Sequence, residues 1–455
     1  MGRRRQDSYR YADLDCDREA VVSAPEEPGA LPQVARAPLR TPTGTHPPRG
    51  RTASSSHLTP RGGNRCDFGP SATSHPPLVQ RHRPRSAGRY LAVAFDLFDG
   101  GAPFDEEELA NRYRHILSPE DRDRLPAYAA LCDALAESHT ALALLGAVHG
   151  RQQNPTLILA ILHYIALTGH PVLGPLYGEL HEGRPVAPEA FARSVVEVLE
   201  TEPELLRREL WRSTQTNEPN RSAVLAAAVG DVARTLGHGQ ITLIDVGTSM
   251  GFNLFPDLVS VVPEESGDDA ALVTTCLTPS FVRSPVPLIG RRVGLDQNLL
   301  LPSKPDDVAW LTACLWPEES RRLRRFTALL EKMKDWPEPV RVAGNAVDLI
   351  DYEVTFDNTP TYVINSWVLA YFSLEERTQW RDTMDYHFAE REDLVWISME
   401  HPSINNSLAF PEAPKNVPRQ GASEIVVTSS FYPSTHWGWT HPHGHWFSVD
   451  SGPKA

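Results

Sequence analysis

Residues 241–254 read ITLIDVGTSMGFNL: an apolar run that ends in an acid and passes into a glycine-spaced turn. Asp245, Gly247, Ser249 and Gly251 are the residues there whose types and spacing could do chemistry. A buried strand, a tight loop and a helix start, in that order, mark the place where open α/β sheets bind ligands. The glycines let a backbone approach a ligand closely. An acid two residues before the first glycine suits a ligand with positive charge and hydroxyls better than one with phosphate.

Three later strand ends carry matching chemistry. RRVGLDQN ends at Asp296, and an acid at the end of a second strand can accept both ribose hydroxyls of an adenosine cofactor. VRVAGNAVDL ends in Gly344, Asn345 and Ala346, a small residue and an amide suited to an adenine ring. TYVINSW places Asn365 and Ser366 at the mouth of the sheet. Each has a plainer alternative: Asp296 could cap the next helix, and the glycines could simply make a tight turn.

The same loop also spells G-x-S-x-G, the elbow that presents a nucleophilic serine. Ser249 would then need an acid, Asp348 or Asp385, and a base, His441 or His443. An elbow normally follows several strands, whereas only helical sequence precedes this one, and no HGGG-like oxyanion segment lies upstream. His436, His441, His443 and His445 raise metal binding, but Pro442 and Gly444 point to a turn between strands, and no acid or thiol cluster adjoins them. No metal is expected. The polar stretch Gln215-Thr216-Asn217-Glu218, with Arg221, reads either as a lid over the site or as a helix cap.

Helices must precede these strands. Ser118-Pro119-Glu120-Asp121 and Asn154-Pro155 are start signals, and helices are expected over 105–116, 155–168, 188–210 and 220–236, the last stopped by Gly237. From 240 the pattern changes to short apolar runs at 241–246, 291–295, 340–343, 361–366, 394–399 and 425–428, separated by helical stretches. That alternation predicts a largely parallel sheet, with 424–450 as an antiparallel edge. Residues 1–88, rich in Pro, Arg, Ser and Gly, read as a disordered tail.

Composition narrows the classes. The 455 residues carry a formal charge of −14, which argues against nucleic acid as a partner. Five cysteines at 16, 66, 132, 276 and 314 form no CxxC pair, as for reduced thiols in a cytoplasmic protein. The basic start MGRRRQDSYR is followed by no apolar stretch, and the apolar run 155–167 is too short for a membrane span of about 20 residues.

IDVGTSMGFN, RRVGLDQN, WLTACLWPEE, AGNAVDL, THPHGHW, RQQNP and STQTNEPNR together resemble an uncharacterised bacterial family, a domain of unknown function, over about 105–450. The resemblance implies a core similar to that of S-adenosylmethionine-dependent methyltransferases. The expected architecture is therefore α/β: a Rossmann-like seven-stranded sheet over 239–455, preceded by a helical region over 89–238. Asp245, Gly247, Ser249, Gly251, Asp296, Asn345, Ala346 and Asn365 would bind S-adenosylmethionine. Glu218 and His443 are the candidate proton acceptors for a small-molecule substrate; a non-catalytic ligand-binding protein and a Ser249 hydrolase are the alternatives. Two departures stand out. The gap from Gly251 to Asp296 exceeds the usual ~20 residues, which predicts an insertion near 257–290. Pro256 also limits the helix after the loop.

Overall fold

In the computed structural model, the described residues are 105–148, 153–262, 271–412, 414–415, 417–419 and 421–450. The tail expected over 1–88 lies outside them. Among the described residues no helix is long and apolar enough to cross a membrane.

The first half is helical as expected: α1 (Glu106–Arg114), α2 (Pro119–Arg124), α3 (Pro126–Ala136), α4 (His139–Gly146), α5 (Pro155–Leu167), α6 (Leu173–His181), α7 (Pro188–Thr201), α8 (Pro203–Arg207) and α9 (Asn220–Leu236). The start signals work as read. Ser118 accepts from the Asp121 N–H and Asn154 from the Thr156 N–H, each with a proline next in line. Pro203 splits the single helix expected over 188–210 into α7 and α8, because a proline ring clashes with the preceding turn. Gly237 ends α9 in the left-handed region.

The second half builds one mixed sheet. Its strands are β1 (Gln240–Val246), β4 (Thr275–Cys276), β5 (Leu288–Asp296), β6 (Val340–Ala343), β7 (Thr361–Ser366), β8 (Leu394–Glu400), β9 (Ser423–Ser429), β10 (Thr435–Thr440) and β11 (Trp446–Val449). A separate pair joins β2 (Val261–Val262) to β3 (Leu272–Val273). The order is β4-β11-β10-β9-β8-β7-β1-β5-β6. The strands β6, β5, β1, β7 and β8 are all parallel, which is the doubly wound order whose switch point falls between β1 and β7. Beyond β8 the sheet continues antiparallel through β9, β10 and β11.

This sheet has nine strands where seven were expected. One of the two extra strands, β4, comes from the insertion after β1, and the other, β11, from the end of the antiparallel edge. Among the described residues of 247–287 there is no crossover helix; they hold one 3-10 turn (Phe252–Leu254), the β2–β3 pair, and β4, which joins the far edge beside β11. The helix expected after the glycine loop does not form, since Pro256 follows that turn closely.

Alternating residues send the central strands' side chains to two cores. Ile241, Leu243, Tyr362, Ile364, Val395 and Ile397 pack against the alanine-rich α9 on one face. Ile244, Val246, Val363 and Trp396 pack on the other against α12 (Ala346–Val354) and α13 (Leu374–Glu390), with α14 (Pro402–Ser407) at the end. Each fully buried large apolar side chain contributes about 1.5–3 kcal/mol. The helices after β5, α10 (Pro305–Ala313) and α11 (Ser320–Met333), cover neither face. Through Trp310, Leu311, Leu323 and Phe326 they join the core of the helical half, which also takes Met250, Phe252 and Phe255 from the β1 loop. Packing therefore runs continuously across the boundary expected near 238. The helical layer stands over the loop at the carboxyl end of β1.

The β10–β11 turn is fastened to the start of α9. A Cβ on Gly444, at φ +74°, would lie 2.5 Å from backbone atoms of Asn220. Gly237 has a similar φ of +73° but open space around it. Gly237→Ala should cost about 1 kcal/mol, the left-handed penalty alone. Gly444→Ala should cost well over about 2 kcal/mol, because two backbones must part. Urea denaturation of both variants checks the order.

Candidate functional site

A cavity of about 860 Å³ lies between the helical layer and the carboxyl ends of the parallel strands. Its floor is the switch point: Gly247 and Ser249 after β1, Asp296 to Asn298 after β5, Gly344 and Ala346 after β6, and Ser366 to Val368 after β7. Its roof comes from α1 to α3, α5 and the 313–322 stretch, and a side wall from the turn 441–445.

Two residues at this switch point sit in the left-handed region without being glycine: Ser249 at φ 52° and Trp367 at φ 57°. Each such placement costs about 1–3 kcal/mol and persists only where surroundings enforce it. The Ser249 N–H donates to Asp296 Oδ2 at 2.7 Å, and the N–H groups of Gly247 and Thr248 donate to the Leu295 carbonyl. Gly294 leaves room for the Thr248 side chain, which a Cβ there would meet at 2.6 Å. A Cβ on Gly247 would lie 2.4 Å from Val368. Gly247 is thus needed for contact between two strand ends.

Asp296 accepts from the backbone of Ser249 and Asn298 at 2.7 and 2.8 Å, and burial raises its carboxyl above the ordinary range despite those bonds. The segment 213–217 lies over the loop as a strap. Gln215 accepts from the Ser249 hydroxyl and donates to the Asn298 carbonyl at 2.8 Å, and Asn217 donates to the Thr248 carbonyl at 3.4 Å. Ser213 to Thr216 line the cavity, and Asn217 and Glu218 do not. The Ser249 hydroxyl is therefore turned to an amide rather than to a histidine. Asp348 and Asp385, the acids an elbow would need, lie exposed on α12 and α13.

Of the residues singled out from sequence, Gly247, Ser249, Asp296, Ala346 and His443 line the cavity. Asp245, Gly251, Asn345, Asn365 and Glu218 do not. Asn345 caps α12 through the Val347 N–H and donates to Glu376. Asn365, expected at the mouth, is wholly buried in the sheet. It donates to Ser398 and Glu400 and accepts from Trp396. Through it Glu400 is held to receive the N–H groups of Val368 and Leu369, which shapes the turn after β7.

Glu218 is buried and paired with Arg322 of α11 at 2.7 Å, with His443 Nδ1 3.6 Å away. Burial alone would raise its carboxyl, but the Arg322 guanidinium holds it well below the usual carboxylate range. A carboxylate so stabilised is a weak proton acceptor. Burial, chiefly, lowers His441, His443 and His445, so all three imidazoles are neutral at pH 7. Among the described residues no group of three or more His, Cys, Asp or Glu is arranged to hold a metal.

A family described as an uncharacterized protein conserved in bacteria (DUF2332) matches residues 110–449. The chain belongs to this family. No curated protein matches it. The family's match begins in α1 and ends in β11, so floor, roof and side wall of the cavity all lie within it.

Sequence reasoning passed over several wall residues. Trp316 and Glu319 stood inside the WLTACLWPEE stretch, which carried a signal. Arg322, Tyr128 and Arg124 sit on helices whose sequence carries no site motif: an amphipathic one, a largely apolar one and a wholly polar one. Only tertiary packing turns them toward the cavity.

Asp245 is buried against α9 beneath the loop, and neither carboxylate oxygen has a well-formed hydrogen bond. Burial, reinforced by the nearby charge of Asp296, pushes its carboxyl up to about 7, while Thr248 and Asn253 offset this only in part. The unfolded chain releases the same proton near pH 4. The stabilising contribution is therefore complete at low pH and is lost as pH rises through about 7. Asp245→Asn should remove that dependence. Relative to the parent, its denaturation free energy should rise by more than about 1 kcal/mol between about pH 5 and about pH 8. A constant difference would show that Asp245 is ionised throughout.

Proposed function

We propose that the cavity binds S-adenosylmethionine and that the protein transfers its methyl group to a small molecule. The observation that carries this reading is Asp296, an acid at the carboxyl end of the strand beside β1, facing a crevice at the switch point. Each of its oxygens accepts one backbone N–H, which leaves further lone pairs for two ribose hydroxyls. Gly344 and Ala346 keep the end of β6 low, as an adenine ring would need.

The loop itself argues against a phosphate ligand. Phosphates bind where a glycine turn opens a helix whose N-terminus faces them. Here the turn opens a single 3-10 turn followed by a further turn at 256–258. The acid at this floor, Asp296, would oppose a phosphate's negative charge. A cofactor with hydroxyls and a cationic centre fits this floor better than a dinucleotide does.

S-adenosylmethionine supplies an electrophilic methyl group on a sulfonium. The chain's own residues would hold the ribose at Asp296, close the strap 213–217 over the ligand, and keep water from the reacting atoms. With Glu218 held ionised by Arg322, it does not serve as the proton acceptor first assigned to it. His443 receives Arg322 Nη2 at its Nδ1, 3.3 Å away. Its proton then sits on Nε2, which makes it a donor. The wall suits an acceptor already nucleophilic at neutral pH.

Titration calorimetry should detect binding of S-adenosylhomocysteine, and Asp296→Ala should weaken it by about 1.5–3 kcal/mol, the range for hydrogen bonds to a charged group. Unchanged affinity in a folded variant would remove Asp296 from the pocket. Fluorophosphonate probes should leave Ser249 unlabelled; stoichiometric labelling would favour the hydrolase instead.

A further inference from the structure

Arg221, in the first turn of α9, is 5% exposed and lines the cavity. Its Nε donates to the Pro442 carbonyl at 2.7 Å and its Nη1 to the Thr216 carbonyl at 3.3 Å. Among the described residues, Nη2 has no hydrogen-bond partner, and no carboxylate lies within 4 Å of the guanidinium. Glu218 and Glu400 act on it only from farther away. Other buried arginines differ. Arg212 is paired with Glu209 and Asp306, Arg292 with Asp257, and Arg322 with Glu218 and Glu319. Burial lowers Arg221 only to about 10, so it stays charged at neutral pH. An unpaired buried charge costs several kcal/mol.

The imidazoles beside it complete the wall. His441 Nδ1 accepts from the His443 N–H at 3.0 Å, His443 Nδ1 from Arg322 at 3.3 Å, and His445 Nδ1 from Asn220 Nδ2 at 3.3 Å. The Asn220 amide is oriented by its own oxygen, which accepts from the Val273 N–H. A neutral imidazole whose Nδ1 accepts must carry its proton on Nε2. Metal-bound histidines show the reverse, donating from the nitrogen that does not hold the metal. This wall therefore carries imidazole N–H groups and, at Arg221, a positive charge without an ion-pair partner within 4 Å, on which Glu218 and Glu400 act from farther away.

We infer that the cavity contains an oxyanion site at Arg221, flanked by His441, His443 and His445, that takes the carboxylate of a small organic acid. One unpaired guanidinium calls for one negative charge, which favours a carboxylate over a phosphate dianion; a planar carboxylate also matches the guanidinium edge. Trp367, Tyr371 and Phe372 line the same cavity and can receive the apolar part of that acid. The carboxylate is the handle by which the acid is held, not the atom that reacts. Its belonging to the methyl acceptor rests on the reading above; the anion site itself does not.

The probe is sodium benzoate, titrated into the full chain at constant ionic strength, with inorganic phosphate as the contrast. Benzoate should bind one per chain, more tightly than phosphate. Arg221→Gln should weaken it by at least about tenfold, and Arg221→Lys should weaken it less. Because either variant could lose its fold, nitrogen NMR of the parent protein gives a second reading. The Nε2 resonances of His441, His443 and His445 should shift on benzoate saturation. No heat up to about 20 mM benzoate, tighter binding of phosphate, unmoved Nε2 resonances, or unchanged affinity in a folded Arg221→Gln protein would each overturn the site. Benzoate should also bind to protein saturated with S-adenosylhomocysteine. Its exclusion there would give Arg221 to the cofactor's own carboxylate and overturn the assignment to the acceptor. If S-adenosylhomocysteine does not bind at all, the cofactor reading fails, while the benzoate result still decides the anion site.

Discussion

The buried ion pair between Glu218 and Arg322 is the interaction on which the cavity depends. Glu218 stands where the strap meets α9, and Arg322 stands on a helix of the overlying layer. The pair thus ties roof to wall. Because Glu218 commits its carboxylate to Arg322, it does not pair with Arg221. Because Arg322 also reaches His443 Nδ1, it decides which ring nitrogen carries the proton. Removing Arg322 would strand the Glu218 charge in a low-dielectric interior, a loss of about 3–5 kcal/mol, whereas removing Glu218 leaves Arg322 its second partner, Glu319. One interaction therefore sets the architecture and the charge of the wall together.

The floor rests on a different constraint, close approach of backbones. Ser249 and Trp367 hold strained conformations on neighbouring strand ends, and Gly247 lets Val368 pack into the turn between them. A single 3-10 turn directly after the loop leaves it without a helix dipole. What remains is a floor with one acid, Asp296, and the amides of Gln297 and Asn298. The opposite wall carries Arg221 and the imidazoles of His441, His443 and His445. A cavity with two such ends can hold two partners in a fixed relation, which is what group transfer needs.

Much of the fold was legible because its signals are local. The apolar runs at 241–246, 340–343, 361–366 and 394–399 became β1, β6, β7 and β8 within a residue or so, and the caps at Ser118 and Asn154 opened their helices as read. The strands β2, β3 and β4, two residues each, carry too little pattern to be seen. Their pairing depends on partners far along the chain, as β4 with β11 shows. The site divides the same way. Asp296, Ser249 and Ala346 were legible because they follow strands, where ligands bind in such sheets. Asn365 follows a strand too, yet Ser398 and Glu400 across the sheet claim its amide. The isolation of Arg221 was not legible, since it is defined by which carboxylates fail to reach it.

The central claim is that Asp296 marks a cofactor site at the switch point. A crystal structure of the full chain grown with S-adenosylhomocysteine tests this most directly. The account predicts the ribose hydroxyls within hydrogen-bond distance of both Asp296 oxygens, with the adenine over Gly344 and Ala346 and the strap closed above. A ligand bound away from Asp296, or a covalent adduct on Ser249 in place of a bound nucleoside, would contradict it.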